Sequence, residues 1–173
     1  EQLVYPERPT TAWWPGDDDG CLLKVNVQTE FRDDGTFDLK LLATLENRGE
    51  DEEYYRLLFN MFSHETLDDF APLIDLCRTI NQQTGTALET AVLERARMRQ
   101  WADEFAVRLY VADWDTFAVV NGHNIYMYLP AAARRWEIIP WDADLTFGDV
   151  NAITDIGVQF PATYETTSPK SVQ

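Results

Sequence analysis

With 173 residues, of which 45% are hydrophobic, the chain is long enough to build one domain around its own core. Thirty acidic against fourteen basic residues give a formal charge of -16, which repels nucleic acid and anionic membranes and excludes both as partners. No apolar run approaches the roughly 18 residues that a membrane span needs. Lysine occurs only at positions 24, 40 and 170, so the acidic surface suits either simple solubility or a salt- and cation-rich exterior. The sequence starts at Glu1 without methionine or signal peptide, and a processed or excised piece is expected.

Residues 1–20, with prolines at 6, 9 and 15 and the run WWPGDDDG, read as an irregular segment whose tryptophans pack back on the body. Two strands follow, CLLKVNVQT (21–29) and FDLKLLATLE (37–46), and the Asp34-Gly35 pair between them signals a hairpin. From Glu50 the period changes: Tyr54, Leu57, Leu58, Met61 and Phe62 recur at helical spacing and predict a helix ending near His64. A second helix is expected from Thr66 or Leu67, presenting Phe70, Ile74, Cys77 and Ile80, with Pro72 tolerable only in its first turns. Its end is marked by NQQTG. Helical patterns then run from Ala87 to Met98 and from Trp101 to about Val111. NIYMYL (124–129) and WEIIPW (136–141) predict a second hairpin, and 161–173 read as a tail. The expectation is an α+β domain over 21–160, with several helices packed around two β-hairpins. Cys77 falls on an apolar face and is read as a buried thiol, the alternative being a bridge to Cys21.

Chemistry-bearing residues gather at element ends. Asp113 and Asp115 follow the last helix, Asn121 and Asn124 lead into the second hairpin, and Asp142 and Asp144 leave it in WEIIPWDADLTFGD. A hairpin sets the start of its first strand beside the end of its second, so Asn124 and Asp142 are expected to be neighbours. Carboxylate and amide oxygens in that arrangement suit a hard cation such as magnesium; the competing reading makes Asp142 an Asx turn and Asn124 a strand-start cap. DADLTFGDVNAITD (142–155) also resembles a calcium loop, but its sixth and twelfth positions hold Phe147 and Ile153 instead of Gly and Glu, leaving only an irregular calcium site as an option. The two histidines, His64 and His123, lack the partners for a zinc centre, and adjacent Ser63 and His64 make no catalytic triad. His123 is read as shaping the site. Arg134 and Arg135 either cap the hairpin away from the acidic cluster or fold over it to hold phosphate.

VADWDTF, GHNIYMYL and WEIIPWDADLTFG resemble the signature segments of the CotH family, the spore-coat protein H kinases, in order and spacing over residues 101–149. The helical stretch 50–100 fits more loosely, and DGCLLK echoes an earlier strand of such proteins. The resemblance implies a divergent, partial protein-kinase-like fold, binding of ATP with magnesium or manganese, and phosphorylation of protein Ser/Thr hydroxyls. It also implies Asp115 as the catalytic-loop aspartate, with Asp113 the second choice. Asn124 and Asp142 would hold the metal, Asp144 would support it, and Asn121, Asn124 and Asp142 would face the cofactor. No Gly-rich loop is present, which leaves Lys24 as the candidate phosphate contact and suggests that an N-terminal portion of the same polypeptide is missing. Some family members are secreted, so an extracellular or surface-associated location is expected. The rival expectation is a non-catalytic extracellular assembly domain holding calcium and docking a protein partner, for instance through Tyr5, Trp13 and Trp14.

Overall fold

The structure is a computed structural model that describes residues 20–147 except 64, 66, 118, 120 and 121. The irregular N-terminal segment with Tyr5, Trp13 and Trp14, the tail, most of the calcium-like loop beyond Phe147, His64 and Asn121 lie outside the described residues.

Alternation of apolar residues sets the main sheet. In β1 (Cys21–Val25) Leu23 and Val25 are buried and in β5 (Ile125–Leu129) all but Tyr128 are, and the register Leu23↔Met127 puts the core-facing rows of the two strands on one face. β4 (Phe59–Met61) pairs with the other edge of β1, Val25 opposite Phe59, while β6 (Glu137–Pro140) pairs with β5, Met127 opposite Ile138. The resulting four-stranded sheet has the order β4-β1-β5-β6 with every pair antiparallel. Leu23, Val25, Phe59, Ile125, Met127 and Ile138 form one core with Leu73, Ile74, Leu76 and Cys77 of α2 (Ala71–Gln82) and Trp101 of α4 (Met98–Tyr110). A separate hairpin, β2 (Gln28–Phe31) with β3 (Phe37–Leu41), is turned by Gly35 at φ 83°, a left-handed conformation that glycine takes without strain. The described residues are therefore α+β, with four helices and two antiparallel sheets.

Two expected elements are corrected. The strand read as continuous from 21 to 29 breaks at Asn26 and Val27, so that β1 joins the large sheet and only β2 enters the first hairpin. The first helix, α1 (Glu52–Leu58), also stops earlier than its periodicity predicts, because Phe59 to Met61 turn into β4. Pairing with β1 satisfies that backbone, and the amide of Asn26 donates to Leu58 O at 2.8 Å across the join. Pro72 sits in the first turn of α2, where its missing N–H costs nothing.

α3 (Gly85–Arg95) and α4 are separated at Ala96 and Arg97, where the chain bridges to Trp136. That bridge seats α4 along the outer edge of β6. Gln100 exchanges hydrogen bonds with both backbone groups of Ile138, and Trp101 Nε1 donates to Trp136 O at 3.0 Å. An edge strand is thereby covered, and the end of α4 is carried to the mouth of the β5–β6 hairpin. Cys21 and Cys77 are free thiols; burial pushes Cys77 up to about 12, and burial, then the charge of Asp69, pushes Cys21 to about 11.

Candidate active site

The site forms where α4, the loop 111–124 and the open end of the β5–β6 hairpin meet. Ala112 takes φ 55° to end the helix, and the amide of Asp113 donates back to Arg108 O at 2.9 Å. The loop then closes on itself through Phe117 N–H to His123 O at 2.8 Å. Gly122 lies so close to Ala43 that a Cβ there would stand 2.2 Å from its carbonyl oxygen, so this contact admits only glycine.

Asn124 is the pivot. It is buried, adopts φ 60°, and its Nδ2 donates to Asp115 O at 2.7 Å and to Asp115 Oδ2 at 3.2 Å. Asparagine tolerates that left-handed backbone better than most residues, which explains its presence at the start of β5. Its own carbonyl receives Trp141 N–H at 3.1 Å and so ties the entry of the hairpin to its exit. His123 Nε2 lies 3.4 Å from Asp115 Oδ1, while its Nδ1 is buried without a hydrogen-bond partner, as is Trp114 Nε1.

Beyond Trp141 the chain turns through Asp142 at φ 50° and returns across the helix end, where Phe147 N–H meets Val111 O at 2.6 Å. Asp142 and Asp144 are exposed. The carboxyl of Asp144 is raised above the ordinary aspartate value by desolvation, then by the charge and hydrogen bond of Asp142 and the charge of Asp115. Asp144 thus feels the charges of Asp142 and Asp115, a repulsion that a bound cation would relieve. Lys24 extends from the neighbouring strand with its Nζ 5.7 Å from the ring centre of Trp141, the residue before Asp142.

Asp113 behaves differently from these exposed acids. It is 1% exposed and paired through Oδ2 with the buried guanidinium of Arg108, and its Oδ1 is buried without a partner. Burial pushes its pKa up against the pull of Arg108. The charge of Arg108 is opposed by burial, but its hydrogen bonds to Asp113 and Glu104 prevail and raise its pKa. The structure therefore brings Asp115, Asn124, Asp142 and Asp144 together at one rim, puts Lys24 over the Trp141 ring, and sets Asp113 beneath the rim.

Magnesium characteristically binds through one or two carboxylates while keeping waters and substrate phosphates in its shell. The oxygens at this rim are hard donors of the kind magnesium takes, whereas among the described residues no three acidic, histidine or cysteine side chains converge to hold a metal by themselves. Asp142 and Asn124, with Asp144 beside them, would hold such an ion.

Arg108 is the residue that sequence reasoning missed. On α4 position 108 falls two turns beyond the buried Trp101 on the same face, but nothing in the local pattern sets it apart from an ordinary surface arginine.

No curated protein and no solved structure matches the chain significantly. The profile described as CotH kinase protein matches residues 15–172, which include every residue of the site, and the chain belongs to the CotH kinase protein family.

Proposed function

We propose that this chain carries the catalytic portion of an atypical, partial protein-kinase-like domain that transfers the terminal phosphoryl group of ATP to Ser/Thr hydroxyls of a protein substrate. The observation that carries the reading is the tie between Asp115 and Asn124 at the entry of a hairpin whose exit delivers Asp142. Kinase catalytic loops use the same order, an aspartate for the substrate hydroxyl and then an asparagine for metal, followed by a metal-binding aspartate past the next strands.

In this assignment Asp115, largely buried but not sealed, and oriented by Asn124, accepts the proton as the substrate oxygen attacks the terminal phosphorus. The bond to the β-phosphate oxygen breaks and ADP leaves. Asp113 is assigned to support, because a carboxylate sealed under the loop and clamped by Arg108 does not reach a substrate. A magnesium or manganese ion, when bound, would neutralise charge on the phosphate oxygens. Lys24, on β1 with its ammonium over the Trp141 ring, is the proposed phosphate contact. The acidic, lysine-poor composition supports an extracellular or surface-associated setting.

Calorimetry of the full-length polypeptide with ATP, in the presence and absence of magnesium, tests the reading. Heat of ATP binding only when the metal is present is expected. Metal uptake with no response to nucleotide would overturn the kinase reading in favour of a structural cation domain.

A further inference from the structure

Arg108 is 4% exposed, yet it is neither a simple ion-pair partner nor a passive filler of the core. A guanidinium carries five N–H donors in one plane. Here five acceptors surround it. Nε donates to Glu104 Oε1 at 2.9 Å, and Nη1 to Asp113 and to Asp142 O at 2.9 Å. Nη2 donates to Trp141 O at 3.0 Å and Asn124 O at 3.4 Å. Three of these acceptors are backbone carbonyls from opposite sides of the hairpin mouth, and two belong to residues in left-handed conformations, Asn124 and Asp142.

Neutralising Asp113 would need one or two of those donors, and a lysine could supply them. Of the other donors, one goes to the carboxylate of Glu104, and the rest go to carbonyls that carry no net charge and that lie 16 to 34 residues away in sequence. From this we infer that Arg108 is the positioning residue of the site. Its planar fork fixes the carbonyls of Asn124, Trp141 and Asp142 against one another and against Asp113, at the start of the loop that bears Asp115. Phosphoryl transfer then depends on the guanidinium shape and not on positive charge alone. This inference rests on the function proposed above, in that the geometry held is the one that transfer requires.

The test is Arg108→Lys in the full-length protein, read by steady-state kinetics and by hydrogen exchange. Displacement of reacting groups by a fraction of their spacing lowers turnover steeply, so kcat should fall roughly a hundredfold with KM for the protein substrate nearly unchanged. The amides of Trp141 and Phe147 should exchange faster while those of β1 and β5 keep their protection. Wild-type kcat, exchange that rises evenly through the core, or a kcat loss without the local change in exchange would each overturn the inference. Should Arg108→Lys fail to fold, Glu104→Ala decides: it removes the acceptor that anchors Nε and leaves the arginine in place. The same local pattern in weaker form supports the inference, and unchanged exchange at Trp141 and Phe147 contradicts it. If the wild-type protein transfers no phosphate, the functional reading fails by itself, and the exchange pattern still separates a positioned hairpin mouth from a generally weakened core.

Discussion

The two ends of the β5–β6 hairpin are built on the same pair of strands and stabilised in opposite ways. At the closed end, residues 131–135 are exposed, Arg134 takes φ 48° on the surface, and the Arg134 N–H to Pro130 O bond of 2.9 Å braces the turn. At the open end a buried arginine gathers three carbonyls, two left-handed residues sit side by side, and acidic groups stand at the rim. The contrast shows where strain and charge are concentrated: the turn needs only to reverse the chain, whereas the mouth holds an arrangement that the backbone would not adopt unaided. It also places Arg134 and Arg135 beyond the far end of a five-residue strand, away from the acidic rim, so they act as a hairpin cap.

That contrast predicts unequal costs. Arg108→Ala leaves Asp113 buried without its partner and should destabilise the fold by about 3–5 kcal/mol in urea titration, as removal of one member of a buried pair does. The loss should shrink as pH falls. The pKa of Asp113 is already raised, so protonation favours the folded state below the ordinary aspartate value and the benefit disappears as pH rises through the raised one. A cost below ~1 kcal/mol would mean that the buried pair does not hold the open end.

Gly122→Ala acts on the same end from the other side, forcing a methyl group onto the backbone of Ala43. An overpacked contact of this kind should cost about 1–3 kcal/mol and lower the melting temperature. At the closed end, Arg134→Gly relieves a left-handed residue and should be neutral or stabilising by up to about 1 kcal/mol. Arg135→Ala should stay within roughly 0.5 kcal/mol of wild type. If either closed-end change matched the open-end changes in size, the two ends would not differ as described.

The smallest effect concerns Asp144. Its raised pKa means that its contribution to stability is present below the ordinary aspartate value and lost as pH rises through the raised folded value. Magnesium should bring the carboxyl back down by opposing the charges of Asp142 and Asp115. A carboxyl NMR titration with and without the ion reads this directly, and an unchanged titration midpoint would separate Asp144 from any metal site.

Much of this layout was legible in the sequence, for reasons that differ by element. The β5–β6 hairpin could be read because two apolar runs flank a short connection, and α2 because its apolar residues recur at helical spacing, although it begins at Ala71 and not at the expected Thr66 or Leu67. β4 could not, since Met61 and Phe62 continue the helical spacing of Tyr54, Leu57 and Leu58, and only the free edge of β1 turns them into a strand. The break at Asn26 was hidden in the same way, because each half of 21–29 alternates correctly and the choice of sheet is made by distant partners. The juxtaposition of Asn124 with the exit of β6 followed from hairpin logic alone. The support from Arg108 did not, because it joins groups scattered from 104 to 142 and a helical arginine reads as surface by default.

In the proposed function Asp142, held at the mouth of this hairpin, serves metal-dependent phosphoryl transfer. Asp142→Asn in the full-length protein removes one exposed charge and leaves the Arg108 contact to its backbone carbonyl in place, so folding by circular dichroism and melting should be nearly unchanged. Intact-mass measurement of a Ser/Thr-rich protein substrate, incubated with ATP and magnesium, should show added phosphate with the wild type and none with Asp142→Asn. Equal phosphorylation by both proteins would contradict the account.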